Sequence, residues 1–520
     1  MIPRGFLFLL SALISTTGWT QSAKRERPNI LVVLTDDHRY DAMGFLEHPF
    51  LETPNLDAMA RSGVHFRNAF VTTSLCSPSR ASILTGLYAH NHRVVDNYNP
   101  IPDGLTYFPE YLQKAGYATA FIGKWHMGGM IDHPQPGFDQ WLSFKGQGVY
   151  FADPNVAKVK GRFVPQVSRE GLNLNGKRIE QEGYITDLLT DHSVNWLETQ
   201  HEKSADTPWL LYLSHKAVHA DFLPPNRYAY SYEDAEWTRP ESWFEKPEEF
   251  TDVPRWVKNQ RNSRHGIEFA YYEKLNLAMY YKRYCETIRA VDESLGRVIE
   301  QLKSTGELEN TLILYLGDNG FLFGEHGLID KRCAYEASIR IPMLLSWPAG
   351  VKGGQTLDPV VANIDVAPTL LDAAGLPVPD HMDGASFLPL AKGESIEWRD
   401  YLLYEYYWER NYPQTPTMHA VVGDRFKYVR YHGVWDVDEL YDLQADPEEK
   451  TNLINHPDYA ATVEKLNKRL FELLKETRGT EMPILEDRGT KFLHRKEGGT
   501  ESAPFPDWFY RQPDPNEQGK

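Results

Sequence analysis

Four runs of consecutive apolar residues divide the first two thirds of the chain, and each predicts a buried strand. The runs are Asn29–Thr35, Tyr117–Gly123, Trp209–Ser214 and Thr311–Leu316. Continuous apolar runs of this length are typical of parallel strands that are covered on both faces. Helical patterns lie between them, at Thr53–Ala60, at Thr106–Ala115 and in an amphipathic stretch from about Tyr271 to Lys303. This alternation predicts an α/β fold with a mostly parallel central sheet and helices on both faces.

The pattern changes after about residue 390. Alternating segments predict antiparallel strands at Tyr401–Tyr407, His419–Val422 and Arg425–Tyr431, and a helix follows from about Pro457 to Lys475. We therefore expect a main domain of residues 24–390, a smaller α+β subdomain of residues 391–497 and a tail of residues 498–520. Residues 221–268 are rich in Pro, Trp, Tyr and Glu without a clean period, and they predict an insertion near the functional site.

The first 23 residues have the pattern of a secretory signal peptide. Arg4 supplies the positive start, and the apolar run Phe6–Ile14 is too short to span a bilayer. We expect cleavage near Ala23 and export to the periplasm or the medium, with an uncleaved anchor as the alternative. No other segment predicts a membrane span, so stable membrane insertion is not expected, and we expect a bacterial source.

Composition limits the classes of partner. The chain has 520 residues, 41% of them hydrophobic, which is enough for a packed core. Its formal net charge is −17, which argues against a nucleic acid partner. An anionic substrate must therefore be bound by a local basic pocket, against the field of the whole chain.

One stretch of eleven residues combines a cysteine, a proline and an arginine. It reads Cys76-Ser77-Pro78-Ser79-Arg80-Ala81-Ser82-Ile83-Leu84-Thr85-Gly86. Pro78 favours extended backbone at Ser77, and Ala81–Thr85 predicts the start of a helix whose N–H groups face an anion. Arg80 stays charged and holds oxyanions in a fork geometry.

The string resembles the type I sulfatase signature C-x-P-S-R-x-x-x-L-T-G, within the alkaline phosphatase superfamily. The resemblance implies that a maturation enzyme oxidises Cys76 to formylglycine (3-oxoalanine). One hydroxyl of the hydrated aldehyde is then the nucleophile, and the second loses a proton to expel sulfate. It also implies an alkaline-phosphatase-like fold and hydrolysis of a sulfate ester.

Two polar pairs follow predicted strands and suggest a metal site. They are Asp36-Asp37 and Asp318-Asn319, and ligands usually lie at the carboxyl ends of such strands. Four oxygen ligands suit Ca²⁺ or Mg²⁺ better than zinc. Either pair alone is more often a turn or a cap, so the interpretation depends on the neighbouring motif. The resemblance implies one Ca²⁺ per chain, bound by these four residues with Cys76 beside it.

The remaining candidate catalytic residues also follow from the resemblance. Lys124 and Lys331 are candidate sulfate ligands, and Arg80 completes the basic set. His126 is the candidate base for the second hydroxyl, and His219 is the candidate acid for the leaving alcohol. Outside this context, a lysine or histidine after a strand is usually a solvated or satisfied loop residue.

The sequence indicates the substrate less specifically than it indicates the reaction. The segments His90-Asn91-His92-Arg93-Val94-Val95-Asp96-Asn97 and Ile329-Asp330-Lys331-Arg332 resemble the branch of glucosamine-6-sulfatases and bacterial polysaccharide sulfatases. We expect a sulfated oligo- or polysaccharide, with Trp408, His419 and Arg425 as possible sugar contacts. The alternatives are a phosphomonoester or phosphonate hydrolase of the same superfamily, and a catalytically silent carbohydrate-binding protein.

Overall fold

The structure is a computed structural model of the chain. It describes residues 27–159, 170–243, 252–260, 276–409, 412, 415–432, 436–483, 495–496 and 499–500. The predicted signal peptide, nearly all of the predicted tail and about a third of the predicted insertion lie outside these ranges.

A ten-stranded mixed sheet forms the centre of the molecule, in the order β11-β2-β10-β9-β1-β8-β4-β5-β6-β7. Its strands are β1 (Asn29–Thr35), β2 (Val64–Phe66), β4 (Ala118–Gly123), β5 (Gln140–Ser143), β6 (Leu172–Leu174), β7 (Lys177–Ile179), β8 (Trp209–Ser214), β9 (Thr311–Gly317), β10 (Met343–Ser346) and β11 (Gln355–Leu357). The central neighbours β9, β1, β8, β4 and β5 are all parallel. The pair β3 (Ala69–Phe70) and β12 (Val361–Ala362) is separate.

The described residues form helices that cover both faces of this sheet and one that packs on the C-terminal sheet. They are α1 (Pro54–Ser62), α2 (Cys76–Thr85), α3 (Ala89–His92), α4 (Phe108–Lys114), α5 (Ile185–Lys203), α6 (Arg255–Gln260), α7 (Leu277–Ser304), α8 (Glu336–Ile339), α9 (Val366–Ala373), α10 (Leu388–Ala391) and α11 (Ala460–Glu476). Alternate residues of β1 point to opposite cores: Ile30 and Val32 pack towards α2, α4 and α9, whereas Leu31 and Val33 pack towards α5 and α7. Burial on both faces explains why this strand is apolar throughout.

A four-stranded antiparallel sheet forms the C-terminal part. Its strands are β13 (Leu402–Tyr406), β14 (Thr417–Val422), β15 (Phe426–His432) and β16 (Glu439–Asp442), and α11 packs against it. Its apolar residues join the same core cluster as Ile30, so the two sheets share one core. The short pair β17 (Arg495–Lys496) and β18 (Gly499–Thr500) follows. The α/β class with a smaller C-terminal α+β subdomain is confirmed, while the boundary near residue 390 stays a prediction.

One local prediction was wrong. The helix of the cysteine motif begins at Cys76 rather than at Ala81, and the extended residue is Leu75 rather than Ser77. Proline is compatible with the first turn of a helix, where its missing N–H is not needed, so Pro78 does not delay the start. The strand β16 was not predicted at all.

In the part of the chain that the structure describes, no helix has both the length and the apolarity needed to cross a bilayer. Cys285 and Cys333 are both buried and unpaired, and neither forms a disulfide.

A buried ion cluster holds the C-terminal sheet against the main domain. Lys427 of β15 lies 3.1 Å from Glu336 of α8 and 2.5 Å from Glu449, and its side chain is fully buried. Lys427→Met should destabilise the protein by about 3–5 kcal/mol, because Glu449 loses its counterion and Glu336 keeps only Arg340, at 3.6 Å. Chemical denaturation measures this. The exposed Lys468, paired with Glu472 at 3.7 Å, is the control and should cost less than about 1 kcal/mol as Lys468→Met. Equal shifts for the two variants would contradict the prediction.

Candidate active site

Four neighbouring parallel strands end at the same edge of the sheet and deliver the candidate residues there. Asp36 and Asp37 follow β1, Lys124 follows β4, the segment to His219 follows β8, and Asp318 follows β9. Because β9, β1, β8 and β4 are adjacent in the sheet, residues far apart in sequence become neighbours.

Three carboxylates and one amide converge at this edge. One oxygen from each of Asp36, Asp37 and Asp318 lies within 4.8 Å of the others, and all three side chains are buried. The Asn319 amide nitrogen donates to Asp37 Oδ1 at 2.6 Å, whereas its buried Oδ1 has no hydrogen-bond partner among the described residues. An unpartnered oxygen beside three carboxylates is the donor set that a hard divalent cation requires.

Cys76 is the first residue of α2 and is fully buried. Its Sγ lies 3.6 Å from Asp36 Oδ1 and 3.0 Å from Lys331 Nζ. The following residue is fixed twice, because the Ser77 N–H donates to Asn97 Oδ1 at 2.9 Å and the Ser77 hydroxyl donates to the His126 carbonyl. Residue 76 is therefore held against the carboxylates by the start of the helix.

The three candidate cations each contact a carboxylate. Arg80 Nε donates to Asp318 Oδ2 at 2.9 Å, Lys124 Nζ contacts Asp36, and Lys331 Nζ contacts Asp37. The Arg80 guanidinium also donates to the Lys124 carbonyl and to Ser214 Oγ, both at 2.7 Å. These contacts fix the direction of all three side chains before any substrate is present.

The two candidate histidines differ in their surroundings. His219 Nδ1 lies 2.7 Å from the Ala220 carbonyl oxygen, which can only accept a hydrogen bond, so Nδ1 carries the hydrogen. The other ring nitrogen, Nε2, lies 3.9 Å from Asp37 Oδ2. His126 is buried, and its Nδ1 has no partner among the described residues. Burial lowers the pKa of both rings, and the Lys124 charge acts in the same direction.

The carboxylates do not share one protonation behaviour. Burial disfavours the charge of Asp36, but Lys124, His219, Arg80 and Lys331 together lower its pKa well below the usual value. Burial raises the pKa of Asp37 to about 6 against the opposing charge of Lys331. Burial and then Asp36 raise the pKa of Asp318. Such repulsion among buried acids is what a bound cation would relieve.

The Cys76 thiol is a poor nucleophile as it stands. Burial, and then the charge of Asp36, raises its pKa to about 12. At neutral pH the thiol is protonated, although its position at a helix start and beside Lys331 would otherwise favour the thiolate. Thiolate chemistry is therefore disfavoured at this position.

Two residues that contact the site were not predicted from the sequence. Gln147 Oε1 accepts from Lys124 Nζ, and Asn97 accepts from the Ser77 N–H. Gln147 lies in an irregular segment without a motif. Asn97 ends the segment His90–Asn97 that resembles the glucosamine-6-sulfatase branch, but that resemblance gave it no role in the site.

The three residues predicted as sugar contacts lie in different environments. Trp408 is 38% exposed, His419 is buried with neither ring nitrogen bonded among the described residues, and Arg425 pairs with Asp442 at 2.8 Å. Arg332, next to Lys331, donates to Glu409 at 2.9 Å. Arg425 is thus engaged elsewhere, whereas Arg332 adjoins the site.

Family models match most of the chain. A model described as sulfatase matches residues 28–376, and one described as the C-terminal part of N-sulphoglucosamine sulphohydrolase matches residues 324–476. A Bacteroides thetaiotaomicron protein described as N-acetylglucosamine-6-O-sulfatase is 32% identical, over 91% of this chain and 90% of its own. Human N-acetylglucosamine-6-sulfatase is 30% identical, over 91% of this chain and 88% of its own.

Solved structures agree with the architecture. One, described as a complex with its substrate D-glucosamine-2-N,6-O-disulfate, has a TM-score of 0.74 and 30% identity, and covers 88% of this chain and 100% of its own. The phosphonate monoester hydrolase of Agrobacterium radiobacter has a TM-score of 0.71 and 25% identity, and covers 87% of this chain and 96% of its own. On its sequence match and its fold, this chain belongs to the sulfatase family, within the alkaline phosphatase superfamily, and is an enzyme that hydrolyses sulfate esters.

Proposed function

We propose that the chain is an exported sulfatase that removes a sulfate ester from a glucosamine unit of a glycan. The observation that carries the proposal is the convergence at one sheet edge of Cys76, three carboxylates, three cationic side chains and two histidines. Few reactions need this much positive charge around one nucleophilic position, and transfer of a sulfuryl group is one of them.

The residues present fit both groups that the family implies. The unpartnered Asn319 oxygen beside Asp36, Asp37 and Asp318 suits Ca²⁺. The raised pKa of Cys76 argues that a modified residue 76, rather than the thiol, is the nucleophile. When present, the cation would hold a sulfate oxygen, and the formylglycine formed by a maturation enzyme would supply a hydroxyl nucleophile.

Side chains of this protein supply the charge balance and the two proton transfers that the reaction needs. Carboxylates hold three cationic side chains in place at the site, those of Lys124, Lys331 and Arg80. Their positive charges balance the charge of the sulfate oxygens. His219 Nε2 faces Asp37 and the Cys76 side. In the doubly protonated ring, which the charge of Asp36 favours, Nε2 donates its proton to the leaving sugar oxygen. With formylglycine at residue 76, the unbonded Nδ1 of His126 would take a proton from its second hydroxyl.

The substrate class is supported by relatives rather than by the site. The bacterial and human relatives described as N-acetylglucosamine-6-sulfatases cover nine tenths of the chain. The match to the structure described as a complex with D-glucosamine-2-N,6-O-disulfate extends over the whole of that chain. A phosphonate monoester hydrolase has the same fold at 25% identity, which keeps phosphonate esters as the second candidate.

A panel of three substrates tests the proposal. We expect the enzyme, co-expressed with a maturation enzyme, to release sulfate from N-acetylglucosamine-6-sulfate and from 4-nitrophenyl sulfate, and to hydrolyse an aryl phosphonate monoester more slowly. Faster turnover of the phosphonate than of both sulfates would overturn it.

The same panel tests the role of His219. His219→Ala should lower turnover of the sulfated sugar by about 10²- to 10⁴-fold, because a sugar alkoxide is a poor leaving group. The loss on 4-nitrophenyl sulfate should stay below about tenfold, since its phenolate needs little protonation. Equal losses on the two sulfates would show that His219 is not the leaving-group acid.

A further inference from the structure

A fourth cationic side chain, Lys216, lies at the same edge of the sheet without an assigned role. It belongs to the segment between β8 and His219, and its carbonyl accepts from the His219 N–H at 3.1 Å. The next carbonyl, that of Ala217, accepts from the Asp36 N–H at 3.1 Å. The backbone of Lys216 is thus bound to the segments that carry the candidate acid and the first metal ligand.

Tyr150 holds the ammonium group of this lysine beside the site. Lys216 Nζ lies 4.6 Å from the centre of the Tyr150 ring, and the Tyr150 hydroxyl donates to the His219 carbonyl at 2.6 Å. Three residues earlier, Gln147 contacts Lys124. One short segment therefore contacts both ammonium groups, and Lys216 lies on the His219 side, where the leaving sugar must be.

Lys216 differs from the other buried cations in its counterion. Lys124, Lys331 and Lys427 each contact a carboxylate, whereas no carboxylate of the described residues lies within 4.0 Å of Lys216 Nζ. The residue is 4% exposed, and a buried ammonium without an anion is costly. The Tyr150 ring compensates only part of that cost.

The acids near Lys216 act on it from a distance. Four cationic side chains, Arg80, Lys124, Lys216 and Lys331, lie at this edge with three carboxylates, and the charge of a fourth acid, Asp221, also reaches Lys216. Burial and the neighbouring charge of Lys124 lower the pKa of Lys216 to about 8, so the side chain is still mostly charged at neutral pH. Because no carboxylate of the described residues contacts its ammonium group, Lys216 suits an anionic group of the substrate other than the reacting sulfate.

We infer that Lys216 binds a second anionic group of the glycan, beside the leaving oxygen. The chemistry is that of an oxyanion, supplied either by an N-sulfate on the glucosamine itself or by a carboxylate on the adjoining sugar. This inference rests on the proposed function and adds a substrate class to it.

The test compares three substrates. They are N-acetylglucosamine-6-sulfate, glucosamine-2-N,6-O-disulfate, and a disaccharide in which a uronate precedes N-acetylglucosamine-6-sulfate. For at least one of the two with a second anion, wild type should show a kcat/KM about 10- to 100-fold higher than for the first, as expected for a charge-assisted contact. Lys216→Met should abolish this preference, and Lys216→Arg should keep most of it.

Lys145→Met is the matched control, because Lys145 lies in the same loop as Gln147 and pairs with Glu170 near the surface. It should keep the preference. The substrate that loses its advantage in Lys216→Met identifies the source of the anion. Equal losses on all three substrates in Lys216→Met, or no preference in wild type, would overturn the inference.

An inhibition assay separates this inference from the proposed function. If wild type releases sulfate from none of the three sugars, the proposed function fails. Inhibition of 4-nitrophenyl sulfate hydrolysis by glucosamine N-sulfate and by a free uronate then decides the role of Lys216. Tighter inhibition of wild type than of Lys216→Met by either compound would support it, and equal inhibition by both would overturn it.

Discussion

Cys76→Ala is expected to lower turnover by about four to six orders of magnitude, because it removes the nucleophile. In active wild type, the tryptic peptide Asn68–Arg80 should be about 18 Da lighter than its thiol form, since an aldehyde replaces the thiol. Mass spectrometry of that peptide, with sulfate release on the same preparation, makes the measurement. Full activity with only the unmodified thiol at residue 76 would refute the proposed nucleophile.

Cys285→Ala provides the matched control for this result. Cys285 is also buried and unpaired, but it lies in α7, and burial raises its pKa as well. This variant should keep most of its turnover and should carry the modified peptide. A comparable loss in both variants would mean that general damage to the core, rather than the nucleophile, explains the effect.

Asp318→Asn is expected to lose the bound divalent cation and at least about 10²-fold in turnover. The substitution keeps the size of the side chain but removes one of three converging carboxylates. It also removes the charge that Arg80 Nε contacts at 2.9 Å. Metal analysis of the purified variant by mass spectrometry, beside an assay with 4-nitrophenyl sulfate, tests both parts.

Asp365→Asn controls for loss of a buried carboxylate as such. Asp365 is also fully buried and is paired with an arginine, Arg399, but it lies outside the strand-end site. Its variant should lose stability yet retain the cation. Retention of the cation at wild-type occupancy in Asp318→Asn would contradict the proposed metal site.

The local pattern of the sequence was sufficient for the elements that position the site. The apolar runs predicted β1 and β8 residue for residue and β9 to within one residue, because strands buried on both faces are apolar between their end residues. The helix start at Cys76 was missed, since the proline rule for the preceding residue is a bias rather than a prohibition. The strand β16 was missed because its edge position and short length give a weak alternating signal.

The sequence by itself determined the fold class, the cysteine motif and the identity of the polar residues that follow the central strands. Only the tertiary structure decided which charges meet. Lys124 contacts Asp36 while Lys331 contacts Asp37, and Lys216 is left with an aromatic ring instead of a carboxylate. These pairings depend on the order of strands in the sheet, which brings together residues up to about 290 positions apart. Periodicity and motif spacing act over a few residues, so they contain no information about that order.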